Sequence, residues 1–253
     1  MANGWSELIV LATVFSLVLT NNRNRSEMKL IAALVGLVAL ISLPVSAATF
    51  EEGQHYQRIG TPVSAPTDRV EVIEAFAYPC PACRSFLPII KRWEHDAPDY
   101  VEFSRLPIAL QRGWDLFARA YYTAQVLGLG DEAHEGVFKA MHDERRQIRN
   151  FEDIAGIYAD FGIDVQTFLS TAQSFAVESQ MGRNRTQVGR FGIRGTPTMV
   201  VQGKWRVSPG DFDSYQNMLA AVDYLVAREA EALGLVGDGA DDSAAAESEA
   251  ASE

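Results

Sequence analysis

The chain has 253 residues, 47% of them hydrophobic and 10% aromatic, with 22 Lys+Arg against 33 Asp+Glu for a formal charge of −11. That length can bury a proper core without staples, and the composition excludes both wholesale disorder and collagen-like repetition. The acidic balance excludes a nucleic-acid footprint, which needs clustered Lys and Arg.

The first apolar run, Leu8 to Leu19, is short of the roughly 20 residues that a membrane-crossing helix needs. Polar residues from Asn21 to Glu27 end it. Met28-Lys29 then opens a second apolar run, Leu30 to Leu43, followed by Pro44-Val45-Ser46-Ala47-Ala48. A basic start, an apolar centre and small residues at a cleavage point describe a secretory signal peptide. Residues 1–27 therefore read as an upstream extension that is not translated or not retained, and 28–48 as the signal peptide, cleaved after Ala47 or Ala48. The alternative is an uncleaved anchor in the inner membrane. Residues 49–69 are a lead-in.

Val70 to Ala77 is apolar on most positions, which suits a central strand covered on both faces. Tyr78-Pro79-Cys80-Pro81-Ala82-Cys83 leads into a helix in which Phe86, Ile89, Ile90 and Trp93 recur at helical spacing, with Pro88 predicting a kink. Val101 to Leu106 reads as a second strand, completing a first α/β part over 70–110. Helical periodicity then dominates residues 111–191. Phe117, Ala120, Tyr121 and Ala124 form one stripe, and Asn150 and Asp164 are N-caps of later helices, the last of which ends at Gly192. Residues 192–232 hold a hairpin, Thr198 to Val207 around Gln202-Gly203, and a final amphipathic helix. Residues 233–253 are an acidic tail with too little to bury to offset its own ordering entropy. The layout is α/β with an inserted helical subdomain.

Cys80 and Cys83 are the only cysteines, two residues apart where a strand hands over to a helix. A structural disulfide across so small a loop would stabilise little. A zinc site would need two more ligands, and the four histidines show no paired ligand spacing. No metal site is expected. A redox dithiol fits better, because a cysteine at a helix N-terminus has its thiolate stabilised by unpaired N–H groups and the dipole. Pro81 occupies a position that tolerates a missing N–H.

With Val72-Ile73-Glu74-Ala75-Phe76 before the cysteines, a helical insertion, and Gly192-Ile-Arg-Gly-Thr196-Pro197 before the hairpin, the chain resembles DsbA-type periplasmic thiol:disulfide oxidoreductases of the thioredoxin superfamily. The resemblance spans about residues 55–228. It implies a thioredoxin-like fold, catalysis by Cys80 and Cys83, and Pro197 as a cis-proline facing them. Thr196 would offer backbone groups to an extended client segment, with Tyr78 and Pro79 completing the client surface. Glu74 matches a family acid, buried beneath the site and able to relay a proton for Cys83.

The family's usual Pro-His dipeptide is replaced by Pro81-Ala82, which tune the redox couple. The missing imidazole implies a higher Cys80 pKa and a less oxidising couple than in a strongly oxidising DsbA. The implied partners are unfolded cysteine-containing exported proteins and a quinone-linked membrane reoxidase of DsbB type. No cofactor is expected beyond the cysteine pair. The implied location is the periplasm, soluble after signal cleavage. A disulfide reductase or isomerase is the alternative, and a non-catalytic chaperone-like binding protein a further one.

Overall fold

The computed structural model describes residues 50–60 and 66–236. The expected extension, the signal peptide and the tail beyond Val236 lie outside the described residues. Strand β1 (Gln57–Arg58) is followed by β2 (Val70–Phe76), helix α1 (Pro81–Asp96) and β3 (Val101–Pro107). Then come α2 (Trp114–Val126), α3 (Asp131–Phe138), α4 (Phe151–Ala159), α5 (Val165–Thr171) and α6 (Phe175–Phe191). Strands β4 (Thr198–Val201) and β5 (Trp205–Val207) form the hairpin, and α7 (Tyr215–Leu233) completes the order.

The strands make one mixed sheet in the order β1-β5-β4-β2-β3. Strands β2 and β3 are parallel, as a helical crossover between them requires, while β4 pairs antiparallel with β2 and with β5. The hairpin turns tightly because both Gln202 and Gly203 are left-handed, at φ 51° and 59°, a twist that matches the flanking strands. Strand β2 is buried on both faces. Val70 and Val72 pack with Phe86 and Ile90 of α1 and with Met218 and Val222 of α7, whereas Ile73 and Ala75 pack with Phe191, Ile193 and Val200 on the other side. Phe76, at the end of the strand, reaches a third cluster built from the inserted helices, among them Tyr121, Phe138 and Tyr158. Strand β2 thus touches all three clusters of the core.

Local chemistry marks the helix ends, at Asn150, Asp164 and Gly192 as expected and at Ser174 and Ser214 in addition. Asn150 and Asp164 each accept the N–H three residues on, as do Ser174 and Ser214, and Gly192 ends α6 at φ 60°.

Three features were not in the pattern. The lead-in contains β1, a strand of two residues and too short for a period-2 signal. After α3 the chain makes a π-helical turn, Lys139–Asp143. Helix α7 ends in a left-handed Gly234 with Leu235 N–H donating to the Ala230 carbonyl at 2.9 Å, and Leu235 and Val236 pack on the core. The folded part therefore continues to Val236, past the expected boundary at 232. Helix α1 runs through Pro88 to Asp96.

Candidate active site

Cys80 is the N-cap of α1, with Pro81 at the first helical position. Its sulfur accepts a hydrogen bond from the Cys83 N–H at 3.4 Å, one of the donors that a helix start leaves unpaired. Both cysteines are free thiols. Cys80 is 8% exposed and Cys83 fully buried, so only the first can meet a large molecule. The Thr196-Pro197 peptide bond is cis, as expected. Its loop brings the Thr196 carbonyl to 3.4 Å from Cys80 Sγ, although the residues are 116 apart in sequence.

This setting splits the two thiols. The Cys80 pKa is brought down to about 5, first by the Cys83 thiol hydrogen bond, with the Thr196 side chain and the Cys83 and Ala82 amides adding to it; burial opposes and loses. The Thr196 carbonyl accepts only from the protonated sulfur, so that contact is given up when the thiolate forms. Cys83 moves the other way, pushed up by its hydrogen bond to Cys80 and by burial. One sulfur is a nucleophile at neutral pH and its neighbour holds a proton.

Glu74 is 2% exposed, in register with Arg105 on β3. The Arg105 Nε lies 3.5 Å from its Oε2, but desolvation outweighs that attraction and raises the Glu74 pKa to about 7. Arg105 is shared with Glu94 at 2.7 Å and Asp131 at 3.0 Å, which limits what it gives to Glu74. The buried acid of the sequence analysis is thus present, with a cationic partner that the sequence analysis did not identify. An Arg in phase with Val101 and Phe103 on the less exposed face of an alternating strand was the available signal.

Tyr78 corrects an expectation. It is 1% exposed and faces the inserted helices, where its hydroxyl meets His134 Nδ1 at 3.0 Å and Tyr158 at 3.5 Å. An aromatic ring of that size finds more contact in the helical core than at a rim, so Tyr78 supports the active-site loop from beneath instead of lining a client surface. His142, on the π-helical turn, lies with Nε2 at 2.7 Å from the Tyr78 carbonyl. Pro79 is half-buried, Pro81 exposed and Ala82 half-buried, at the rim around Cys80. The Tyr215 hydroxyl donates to the Ala82 carbonyl at 3.3 Å, tying α7 to the motif. Tyr215, His134 and His142 carried no functional signal in sequence. Among the described residues no group of three or more His, Cys, Asp or Glu is placed to hold a metal ion.

A family profile described as "DSBA-like thioredoxin domain" matches residues 71–222. A relative named "Thiol:disulfide interchange protein DsbA" from Pseudomonas aeruginosa is 31% identical over 201 residues, covering 79% of this chain and 95% of the relative. One of the same name from Azotobacter vinelandii is 33% identical over 190 residues, covering 74% and 88%. Among solved structures, Pseudomonas aeruginosa DsbA superposes with a TM-score of 0.68 at 33% identity, covering 72% of this chain and 96% of that one. The Xylella fastidiosa oxidoreductase DsbA gives 0.65 at 32% identity, covering 70% and 96%.

Proposed function

The chain belongs to the DsbA-like thioredoxin family of thiol:disulfide oxidoreductases, and from that premise we propose that it donates disulfide bonds to unfolded exported proteins. The observation that carries the proposal is Cys80 at the start of α1 facing the Thr196 carbonyl, with its thiol held at about 5. Stabilising the Cys80 thiolate stabilises the reduced enzyme, and a stabilised reduced form makes the disulfide a better oxidant.

In the oxidised enzyme a client thiolate attacks Cys80 Sγ. The Cys80–Cys83 bond breaks, a mixed disulfide forms through Cys80, and Cys83 leaves and takes up a proton. A second client thiolate then attacks the client sulfur of the mixed disulfide. Cys80 departs as its stabilised thiolate, the client is bridged, and two electrons rest on the enzyme. Glu74, half-protonated near neutrality, is the relay for the Cys83 proton. Thr196 offers its backbone to the client beside Pro197, and the rim of Pro79, Pro81 and Ala82 completes the surface. The redox chemistry resides in the cysteine pair itself.

A Cys80 pKa of about 5 lies between about 3.5 for a strongly oxidising DsbA and about 7 for thioredoxin. This supports a donor of disulfides that is milder than the strongest, in keeping with Ala82 where the family has His. Such a donor works in the periplasm, where disulfides persist, and is returned to its oxidised form by a quinone-linked membrane partner. Among the described residues no helix is long and apolar enough to cross a membrane.

The test is oxidation of a reduced two-cysteine peptide by one equivalent of oxidised protein. Full conversion in wild type, none with Cys80→Ser, and a trapped mixed disulfide with Cys83→Ser are expected. A Cys80→Ser variant that still promotes client folding would move the protein to the chaperone class.

A further inference from the structure

Beside the Thr196-Pro197 loop lies a cavity of about 410 Å³, lined by Arg194, Thr196, Pro197, Arg206, Ser208 and Asp211 among others. It begins at the residue whose carbonyl is 3.4 Å from Cys80 Sγ. A client segment held extended at Thr196 advances about 3.3 Å per residue. Side chains within three positions of its reacting cysteine are therefore within reach of this cavity.

The lining is cationic in a chain whose formal charge is −11. The Arg206 guanidinium is already fixed, with Nη1 donating to the Phe191 and Gly192 carbonyls at 2.9 and 2.6 Å. Gly192 makes that approach possible, since a Cβ there would lie 2.7 Å from Nη1. The other Arg206 nitrogens have no carboxylate partner among the described residues, and neither has the exposed Arg194. Asp211 lines the same cavity without pairing to either. A fixed, planar cation with free N–H groups suits a carboxylate better than a neutral or basic group.

We propose that this cavity selects clients carrying Asp or Glu within three residues of the reacting cysteine. The inference rests on the client-oxidising function argued above and adds the chemistry of the preferred client.

The experiment uses the oxidised protein and three reduced two-cysteine peptides that differ only in having Asp, Ser or Lys two residues from the first cysteine, on either side of it. The expected result is a kcat/KM about three- to ten-fold higher for the Asp peptide than for the Lys peptide at low salt, on one side of the cysteine. The ratio should fall toward one at about 0.5 M salt, as the screening length shortens. Arg194→Glu should reverse the order, and Arg194→Lys should keep it. Equal rates for the three peptides at low salt would overturn the inference while leaving the proposed function standing. So would a preference that neither salt nor Arg194→Glu alters. Should no peptide be oxidised at all, the proposed function and this inference fail together. The salt dependence of the wild-type ratio keeps the test decisive if Arg194→Glu fails to fold.

Discussion

At the scale of single residues, burial and hydrogen bonding divide chemically similar groups. Cys80 and Cys83 are the same chemical group three positions apart, yet one is driven to about 5 and the other upward. Thiolate absorbance of the reduced protein should titrate with a midpoint near 5. Ala82→His should lower that midpoint further and make the disulfide more oxidising; an unchanged midpoint would remove the imidazole from the explanation. Glu74 gives a stability prediction of opposite sign to an ordinary carboxylate. Its pKa is raised from 4.5 to about 7 in the folded chain. The folded state therefore binds the extra proton, so this contribution is complete below pH 4.5 and is lost as pH rises through 7. The loss is on the order of 3 kcal/mol. Glu74→Gln should flatten the fall in unfolding free energy between pH 4.5 and 7, measured by denaturant titration at each pH.

Among the elements, the hairpin and α7 are locked together by a group that no pattern announced. Glu229 is 4% exposed and accepts from Trp205 Nε1 at 2.6 Å and from Lys204 Nζ at 2.5 Å. Glu229→Leu would leave a buried indole N–H without a partner, and should lower stability by about 2–3 kcal/mol in denaturant unfolding. By contrast, Arg84 and Asp143 pair across exposed surface, so Asp143→Asn should cost less than about 1 kcal/mol in the same experiment. The elements themselves were mostly readable from sequence, because Val70–Phe76 is a near-continuous apolar run, the stripes of α2 and α7 recur at helical spacing, and Asn150, Asp164 and Gly192 mark boundaries by local chemistry. Strand β1 was not, since two residues carry no period, and the π-helical turn at Lys139–Asp143 has no composition of its own. For the site, Cys80 and Cys83 could be named from their spacing and their place at a helix start, whereas Glu74 and Pro197 were legible only through the family resemblance, since Pro197 sits in a loop that meets Cys80 from 116 residues away. Arg105, Tyr215 and the inward turn of Tyr78 depend on partners 11 to 133 residues away, which a linear reading cannot pair.

Across the whole molecule, the sheet layer and the inserted helices meet around Phe76, Tyr78 and His134. Burial holds the His134 pKa well below its ordinary value of 6.5. The unfolded chain takes up a proton there that the folded chain refuses, so stability is full above about pH 6.5 and is lost as pH falls below it. The steepest slope from one such group is about 1.4 kcal/mol per pH unit. His134→Gln, which keeps an acceptor for the Tyr78 hydroxyl, should make the acid-side decline in melting temperature shallower. Below pH 6.5 Glu74 and His134 push in opposite directions, so each single variant, compared with wild type, isolates its own group.

What joins these scales is a disulfide that oxidises because the reduced form is held stable by the start of α1. The equilibrium reduction potential of the Cys80/Cys83 pair in glutathione buffers, with both thiols trapped and resolved on gels, measures that directly. A value above about −200 mV is expected, between the thioredoxin and the strongly oxidising DsbA limits of about −270 and −120 mV. A value at or below about −270 mV would make the dithiol the stable working form and contradict that expectation, placing the protein among the reductases.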